Sequence, residues 1–179
     1  MQKLNIHLLI RIYEKIFHKD PMNWRITKYR LDGANIGEHV RAFSPITSTE
    51  PYLITIGNNV TVSTGVKFCT HDNSAIKIFK NGTDFVGAIN IAANSFIGMN
   101  SIIMGGVTIP ENCIIGAGSV VTKSFQEPGI VIAGNPAKKI GTVDEIYAKN
   151  RDNVFNFKGM SFSQKKEEIM TNPQKWLKK

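Results

Sequence analysis

The sequence is poor in the features that define several protein classes. Its two cysteines, Cys69 and Cys113, have neither metal-binding nor redox spacing, which excludes a disulfide framework and a thiolate zinc site. Both read as small core residues. No apolar run approaches the roughly 20 residues that cross a bilayer. The early stretch Leu8-Leu9-Ile10 is interrupted by Arg11, Glu14 and Lys15, and no small-residue cleavage site follows. A secretory signal is therefore not expected, and a cytoplasmic protein is. Basic residues are not interleaved with aromatics in any recognition element, which argues against a nucleic-acid partner.

What is present fits one globular domain: 179 residues, 42% of them hydrophobic and 20% charged, enough to bury a core. The net charge of +8 is unevenly distributed. Residues 1–30 carry seven Lys/Arg against two acids, residues 138–179 carry ten against five, and residues 31–137 carry five against seven. Basic flanks of this kind are solvated ends, or they meet an anionic ligand or an anionic membrane surface.

The middle of the chain has a six-residue period. Ile91, Ile97, Ile103, Ile109, Ile115 and Val121 open successive units, with Ser95, Ser101, Val107, Cys113, Ser119 and Phe125 four places after each. A helix would place apolar residues three and four apart and a simple strand two apart, so neither fits. Short strands joined by corners do. Ile36 and Ala42, then Ile56, Val62 and Phe68, open earlier units of the same kind. Corner chemistry follows the openers in Gly57-Asn58-Asn59, Gly98-Met99-Asn100, Gly105-Gly106, Glu111-Asn112 and Gly116-Ala117-Gly118, since Gly and Asn accept positive φ at low cost. Three sides make a coil, and stacked coils make an all-β solenoid of triangular section.

Two interruptions break the register. Thr47 to Leu53 lengthens the first coil, and the spacing from Phe68 to Ile91 predicts an extruded loop over 74–90. Long loops on a rigid scaffold commonly carry function. Leu4, Leu8, Ile12 and Ile16 predict a helix over Lys3 to His18. Thr142-Val143-Asp144-Glu145 is a capping box for a short helix, and another helix is predicted near Ser163 to Met170. The predicted organisation is an N-terminal helical segment over 1–33, the solenoid over 34–140, and a C-terminal helix and basic tail over 141–179.

With these residues in hand, the chain resembles the left-handed β-helix hexapeptide acyltransferases, more narrowly the sugar and polysaccharide O-acetyltransferases related to galactoside and maltose acetyltransferases. The resemblance covers about residues 34–141. It rests on the run from Glu50-Pro51-Tyr52 to Asn58-Asn59-Val60, on Thr70-His71-Asp72, and on the run from Ile109 through Gly116-Ala117-Gly118 to Ala133-Gly134-Asn135-Pro136-Ala137-Lys138. The left-handed parallel β-helix is implied by this resemblance and not by the spacing. So are transfer of acetyl from acetyl-CoA to a hydroxyl, a homotrimer, and active sites between subunits.

The resemblance maps the family's general base onto His71. Imidazole titrates near 6.5 and can take the proton of a weakly nucleophilic sugar hydroxyl as it attacks a thioester. A backbone amide at a Gly-rich corner of the adjacent subunit would then serve the oxyanion. Glu50 and Asp72 are the nearest carboxylates, either to orient the imidazole or to bind sugar hydroxyls. In an extended segment Asp72 would point away from His71, towards acceptor. Asn73, Lys77 and Lys80 are further acceptor candidates. For coenzyme A the resemblance implies Phe96, Gly98, Met99, Gly116 and Ala117 along the pantetheine arm, with Thr122, Lys123 and Lys138 nearer the nucleotide. Phe96 stands where many relatives have tryptophan, and Ala92-Ala93 replaces a common Gly-Asp pair.

No metal is expected, because a trimeric β-helix carbonic anhydrase needs three converging histidines and the repeat holds only His39 and His71. The reading is an acetyl-CoA-dependent O-acetyltransferase acting on a sugar hydroxyl of a polysaccharide unit or its precursor. The flanks would cap the prism or dock it near membrane-bound glycan assembly, a peripheral membrane contact. The alternatives are N-acetylation of an amino sugar nucleotide, O-acetylation of a small acceptor such as serine, and a non-catalytic trimeric scaffold.

Overall fold

The computed structural model describes residues 22–46 and 48–177. The helix expected over Lys3 to His18 lies outside them.

The six-residue openers become the inward side chains of very short strands. These are β1 (Asn35–Ile36), β2 (Arg41–Ala42), β3 (Ile54–Ile56), β4 (Thr61–Val62), β5 (Lys67–Cys69), β6 (His71–Asp72), β7 (Phe85–Val86), β8 (Ile89–Ile91), β9 (Phe96–Ile97), β10 (Ile102–Met104), β11 (Thr108–Ile109), β12 (Ile114–Ile115), β13 (Val120–Val121), β14 (Ile130–Gly134) and β15 (Ala137–Thr142). Strands this short cannot persist alone; those of the stack pair in parallel with neighbouring circuits, whereas β6 and β7 pair antiparallel with each other and β15 antiparallel with β14. The first sheet is β1-β3-β8-β11, the second holds β2-β4-β9-β12-β14, and the third is β5-β10-β13. The chain visits the three in turn.

The ladder registers carry the arithmetic of the repeat. Ile91 pairs with Ile109, Ile97 with Ile115 and Ile103 with Val121, each 18 positions apart. The lengthened first circuit pairs Ile36 with Ile56 and Ala42 with Val62, 20 apart. Across the large interruption Ile56 meets Ile91 and Val62 meets Ile97, 35 apart. The stack therefore stays in register on both sides of the insertion.

The openers are buried, and so are residues four places on: Val60, Ser95, Ser101, Val107, Cys113 and Ser119. Each large aliphatic contributes roughly 1.5–3 kcal/mol on burial. The buried serines are satisfied. Ser101 donates to the Gly116 carbonyl at 3.0 Å, and Ser95 takes the Cys113 amide at 3.2 Å. Cys69 departs from expectation. Phe68 points inward in β5, so its neighbour Cys69 points outward and is only half-buried.

The outward faces of two sheets differ. On the first, Asn35, Thr55, Asn90 and Thr108 form a polar column. On the third, Cys69, Ile102, Met104 and Val120 are apolar and only partly covered, beside the exposed Lys67 of β5.

The corners differ too. At the first corner, between first and second sheets, His39, Asn59, Asn94 and Asn112 all adopt φ near 58°, and the Asn59 amide donates to Asn94 Oδ1 at 3.0 Å. The second corner, between second and third sheets, contains Gly65, Asn100 and Gly118. The third returns to the first sheet through Gly105-Gly106; one circuit later Thr122 to Ser124 lead to Phe125, whose amide donates to the Thr108 carbonyl at 3.1 Å.

Both ends of the stack are covered. Helix α1 (Met22–Leu31) was not foreseen in the sequence. It packs beside β1 and β2 through buried Ile26 and Tyr29. Arg30 donates to the carbonyls of Ile36 and Gly37 and to Glu38, and the Ala42 amide donates to Met22 Sδ. At the other end β14 adds to β12, and β15 folds back antiparallel on it after Asn135-Pro136. Thr142 and Glu145 form the expected capping box of α2 (Val143–Asn150), and Ser161 with Gln164 caps α3 (Phe162–Thr171).

Candidate active site

The third corner is where the chain leaves the stack. Spacing alone put the extruded segment at 74–90, but the excursion begins at His71 and closes at Val86, and Ile89–Ile91 is already a rung of the first sheet. Thr70 is buried, and its carbonyl receives the Gly87 amide at 2.8 Å, which closes the base of the excursion. A Cβ on Gly87 would lie 2.3 Å from the Gly106 amide nitrogen, so this crossing requires glycine. Above it β6 and β7 form an antiparallel pair, His71 opposite Val86 and Asp72 opposite Phe85.

Strand alternation turns Thr70 inward and His71 outward. The first interruption supplies the partners of the imidazole. His71 Nδ1 lies 2.9 Å from Glu50 Oε2 and 3.0 Å from Thr49 Oγ1. Thr70 donates to the same Glu50 oxygen at 2.7 Å, and Ser48 bonds the Thr70 hydroxyl. Hydrogen bonds from Thr49, Thr70 and His71, in that order, hold the Glu50 carboxyl at about 2. Glu50 is thus an anion, and the bond it accepts from His71, followed by its charge, raises the histidine above 6.5. With the Nδ1 proton committed to Glu50, Nε2 carries the lone pair. No described residue bonds Nε2.

His71 borders a cleft of about 390 Å³, whose walls include Phe85, Met104, Gly105, Gly106 and Thr122. It is a mixed surface, with hydroxyl, imidazole and backbone polar groups beside apolar side chains.

The expected acceptor residues sort differently. Glu50 is brought to His71. Asp72 lines the cleft but also caps the turn after β6, receiving the Ser74 amide at 2.8 Å, a bond that lowers its pKa. Asn73 braces the hairpin, donating to the Thr83 carbonyl at 2.9 Å and to Asp84. Lys77 lies in the 3-10 turn Asn73–Lys77, and Lys80 is exposed on the hairpin.

The expected coenzyme A residues also divide. Thr122 shares the cleft with His71, and Lys123 follows it, exposed. Gly98, Met99, Gly116 and Ala117 lie at the second corner, a whole strand of the third sheet away. There a Cβ on Gly98 would lie 2.5 Å from the Ala117 nitrogen, so coil stacking itself requires this glycine. Phe96 is exposed on the second sheet, and Lys138 is exposed on β15. One chain does not bring the two corners together.

Thr49, Cys69, Phe85 and Met104 were not foreseen at this site. Alternation from Phe68 would have turned Cys69 outward beside His71. Nothing in the repeat phase points to Thr49, because it lies inside an interruption. Among the described residues no group of three His, Cys, Asp or Glu is placed to hold a metal ion, and no helix is long and apolar enough to cross a membrane.

Comparisons with known proteins agree with the repeat. Residues 88–123 match the model of the bacterial transferase hexapeptide (six repeats). Protein CapG of Staphylococcus aureus is 44% identical over 145 residues, covering 78% of this chain and 83% of CapG. Galactoside O-acetyltransferase of Escherichia coli (strain K12) is 34% identical over 125 residues, 69% of this chain and 59% of that protein. Among solved structures, a galactoside acetyltransferase in complex with coenzyme A superposes with a TM-score of 0.54 at 26% identity, covering 89% of this chain and 90% of the other.

Proposed function

The chain belongs to the hexapeptide-repeat transferases, and from that premise we propose that it is an acetyl-CoA-dependent O-acetyltransferase acting on a sugar hydroxyl of a polysaccharide unit or its precursor. One observation carries this reading: an outward imidazole, tied at Nδ1 to an anionic glutamate, bordering an open cleft. Nε2 of His71 removes the proton of the acceptor hydroxyl as its oxygen attacks the thioester carbonyl. Glu50 keeps the tautomer and stabilises the imidazolium that forms. That imidazolium returns the proton to the departing thiolate, so no covalent enzyme intermediate is required.

The residues present suit the acyl donor. Gly98 and Gly116 offer main chain without side-chain bulk, Lys123 and Lys138 are exposed cations fit for phosphates, and the similar galactoside acetyltransferase was solved with coenzyme A. Asp72 stays a candidate for acceptor hydroxyls, whereas Asn73 shapes the hairpin that frames them.

Three further features belong to the proposal. The coils form a left-handed β-helix over 34–140, between the helical segments 1–33 and 141–179. The protein is a homotrimer acting in the cytoplasm, with each site between two copies. The separation of His71 from the second-corner residues supports this, because a neighbouring prism could set its second corner opposite His71. The largely apolar outer face of the third sheet, with Lys67 as its exposed cation, runs between those two corners and suits such a contact.

The test is coenzyme A release from acetyl-CoA against a panel of sugars, nucleotide sugars and oligosaccharides, for wild type and His71→Ala. Acceptor-dependent release that collapses in the variant supports the reading. Equal activity in the two removes His71 from its role, and absence of both binding and turnover of acetyl-CoA leaves only a scaffold.

A further inference from the structure

Beyond the stack the chain turns its apolar side chains outward. No residue of α3 is buried; Phe162 is 84% and Met170 61% exposed. At about 100° per residue, Lys165, Ile169, Phe162, Lys166 and Met170 fall in that order within roughly 140° of one helix face. These same five line a shallow groove. The helix acids, Glu167 and Glu168, lie outside that arc with Gln164 and Thr171. The face interleaves two lysines with three apolar side chains, Met170 forming one edge and Lys165 the other.

The segment around this helix is braced from within. Phe155 and Phe157 stack at 5.4 Å, Lys165 Nζ sits 4.8 Å above Phe157, and Lys175 Nζ sits 5.4 Å above Phe155. The Trp176 indole donates to the Ile169 carbonyl at 3.0 Å, and Asn153 donates to the Lys175 carbonyl. Trp176 and Leu177, both exposed, adjoin the end of the helix.

We propose that this face of α3 docks on an anionic lipid surface. A helix whose one face mixes apolar side chains with lysines while its acids lie elsewhere lies in the plane of a bilayer interface. The lysine stems cover apolar surface while their ammonium groups reach lipid phosphates. Charge selects this occupant. Residues 138–179 carry ten Lys/Arg against five acids, so the same face of a second copy would bring lysine against lysine. Nucleic acid would meet apolar side chains where it needs donors. An anionic bilayer answers both the apolar side chains and the lysines among them. This inference is independent of the acetyl-transfer reading.

The experiment is co-sedimentation of the full-length protein with phosphatidylcholine vesicles and with vesicles enriched in phosphatidylglycerol, over a range of salt. Wild type should pellet with the anionic vesicles only, and less as salt rises. Lys165→Gln and Lys166→Gln should each weaken binding about fivefold, and Phe162→Ser combined with Met170→Ser should abolish it. Circular dichroism and acetyl-CoA turnover with a soluble acceptor should stay unchanged. Three outcomes overturn the proposal: no preference for anionic vesicles, undiminished pelleting of the Phe162/Met170 variant, or a lower sedimentation mass of that variant without lipid. The last would assign the face to a second copy.

Discussion

The first and third corners of the stack solve the same problem in opposite ways. At the first, four successive circuits turn through His39, Asn59, Asn94 and Asn112 at nearly one φ, and side-chain amides tie one circuit to the next. At the third, one circuit departs entirely, sends out a hairpin, and returns through Gly87 against Gly106. The regular corner offers solvent little except its own hydrogen bonds. At the irregular corner, the first residue out of register is an exposed histidine, and its carboxylate comes from the other interruption. The proposed chemistry sits where the repeat was allowed to break, held between regular circuits.

Breaking the third corner at His71→Ala should have the largest effect, lowering kcat/KM by about 10² to 10⁴ while the melting temperature stays unchanged. Steady-state kinetics beside thermal denaturation checks both halves. The mirror experiment is Gly57→Ala at the first corner, where the new Cβ would lie 2.7 Å from the Ala93 nitrogen. Overpacking there should cost about 1–3 kcal/mol of stability, read from urea unfolding, with activity per folded molecule retained. Asn94→Ala, at φ 59°, should cost about 1–2 kcal/mol for an alanine in the left-handed region, and Asn94→Gly distinctly less.

The subtlest change is Glu50→Gln. In the proposed role His71 must be neutral to act, and Glu50 raises it above 6.5, so wild-type kcat/KM should fall as pH drops through a value above 6.5. Without the anion that acid limb should move to lower pH. A pH–rate profile with an unmoved limb would remove Glu50 from its role.

Much of the scaffold was legible because one physical requirement, an aliphatic side chain stacked over another, recurs every six residues from Ile91 to Val121. The Phe68-to-Ile91 gap likewise announced an excursion. Its internal structure was not legible, since β6 and β7 pair by only two residues each and carry no periodic signal. Helix α1 buries only Ile26 and Tyr29, too few to print a helical stripe. β14 escaped the six-residue phase because Ile132 stacks on Ile115 at a spacing of 17. At the site, His71 was legible through the family resemblance, and Glu50 only as one of two nearby carboxylates, since its approach to the imidazole depends on how the first interruption folds. Asn73 read as an acceptor ligand, and its bonds within the hairpin were not legible, since its partners Thr83 and Asp84 become neighbours only when the loop folds. The second-corner glycines could be read for cofactor or for stacking, and one chain shows that stacking already demands Gly98.

A stack of parallel strands has a top and a bottom, and each would expose a row of unpaired amides and carbonyls on which another molecule could grow. Here Arg30 and Met22 of α1 occupy groups at one end, and β15, running backwards, occupies the second sheet at the other. These two covers set the length of the object. Stripped of them, a chain whose every circuit fits the next would become a seed for filaments, so the parts that look least like the repeat are what keep it countable.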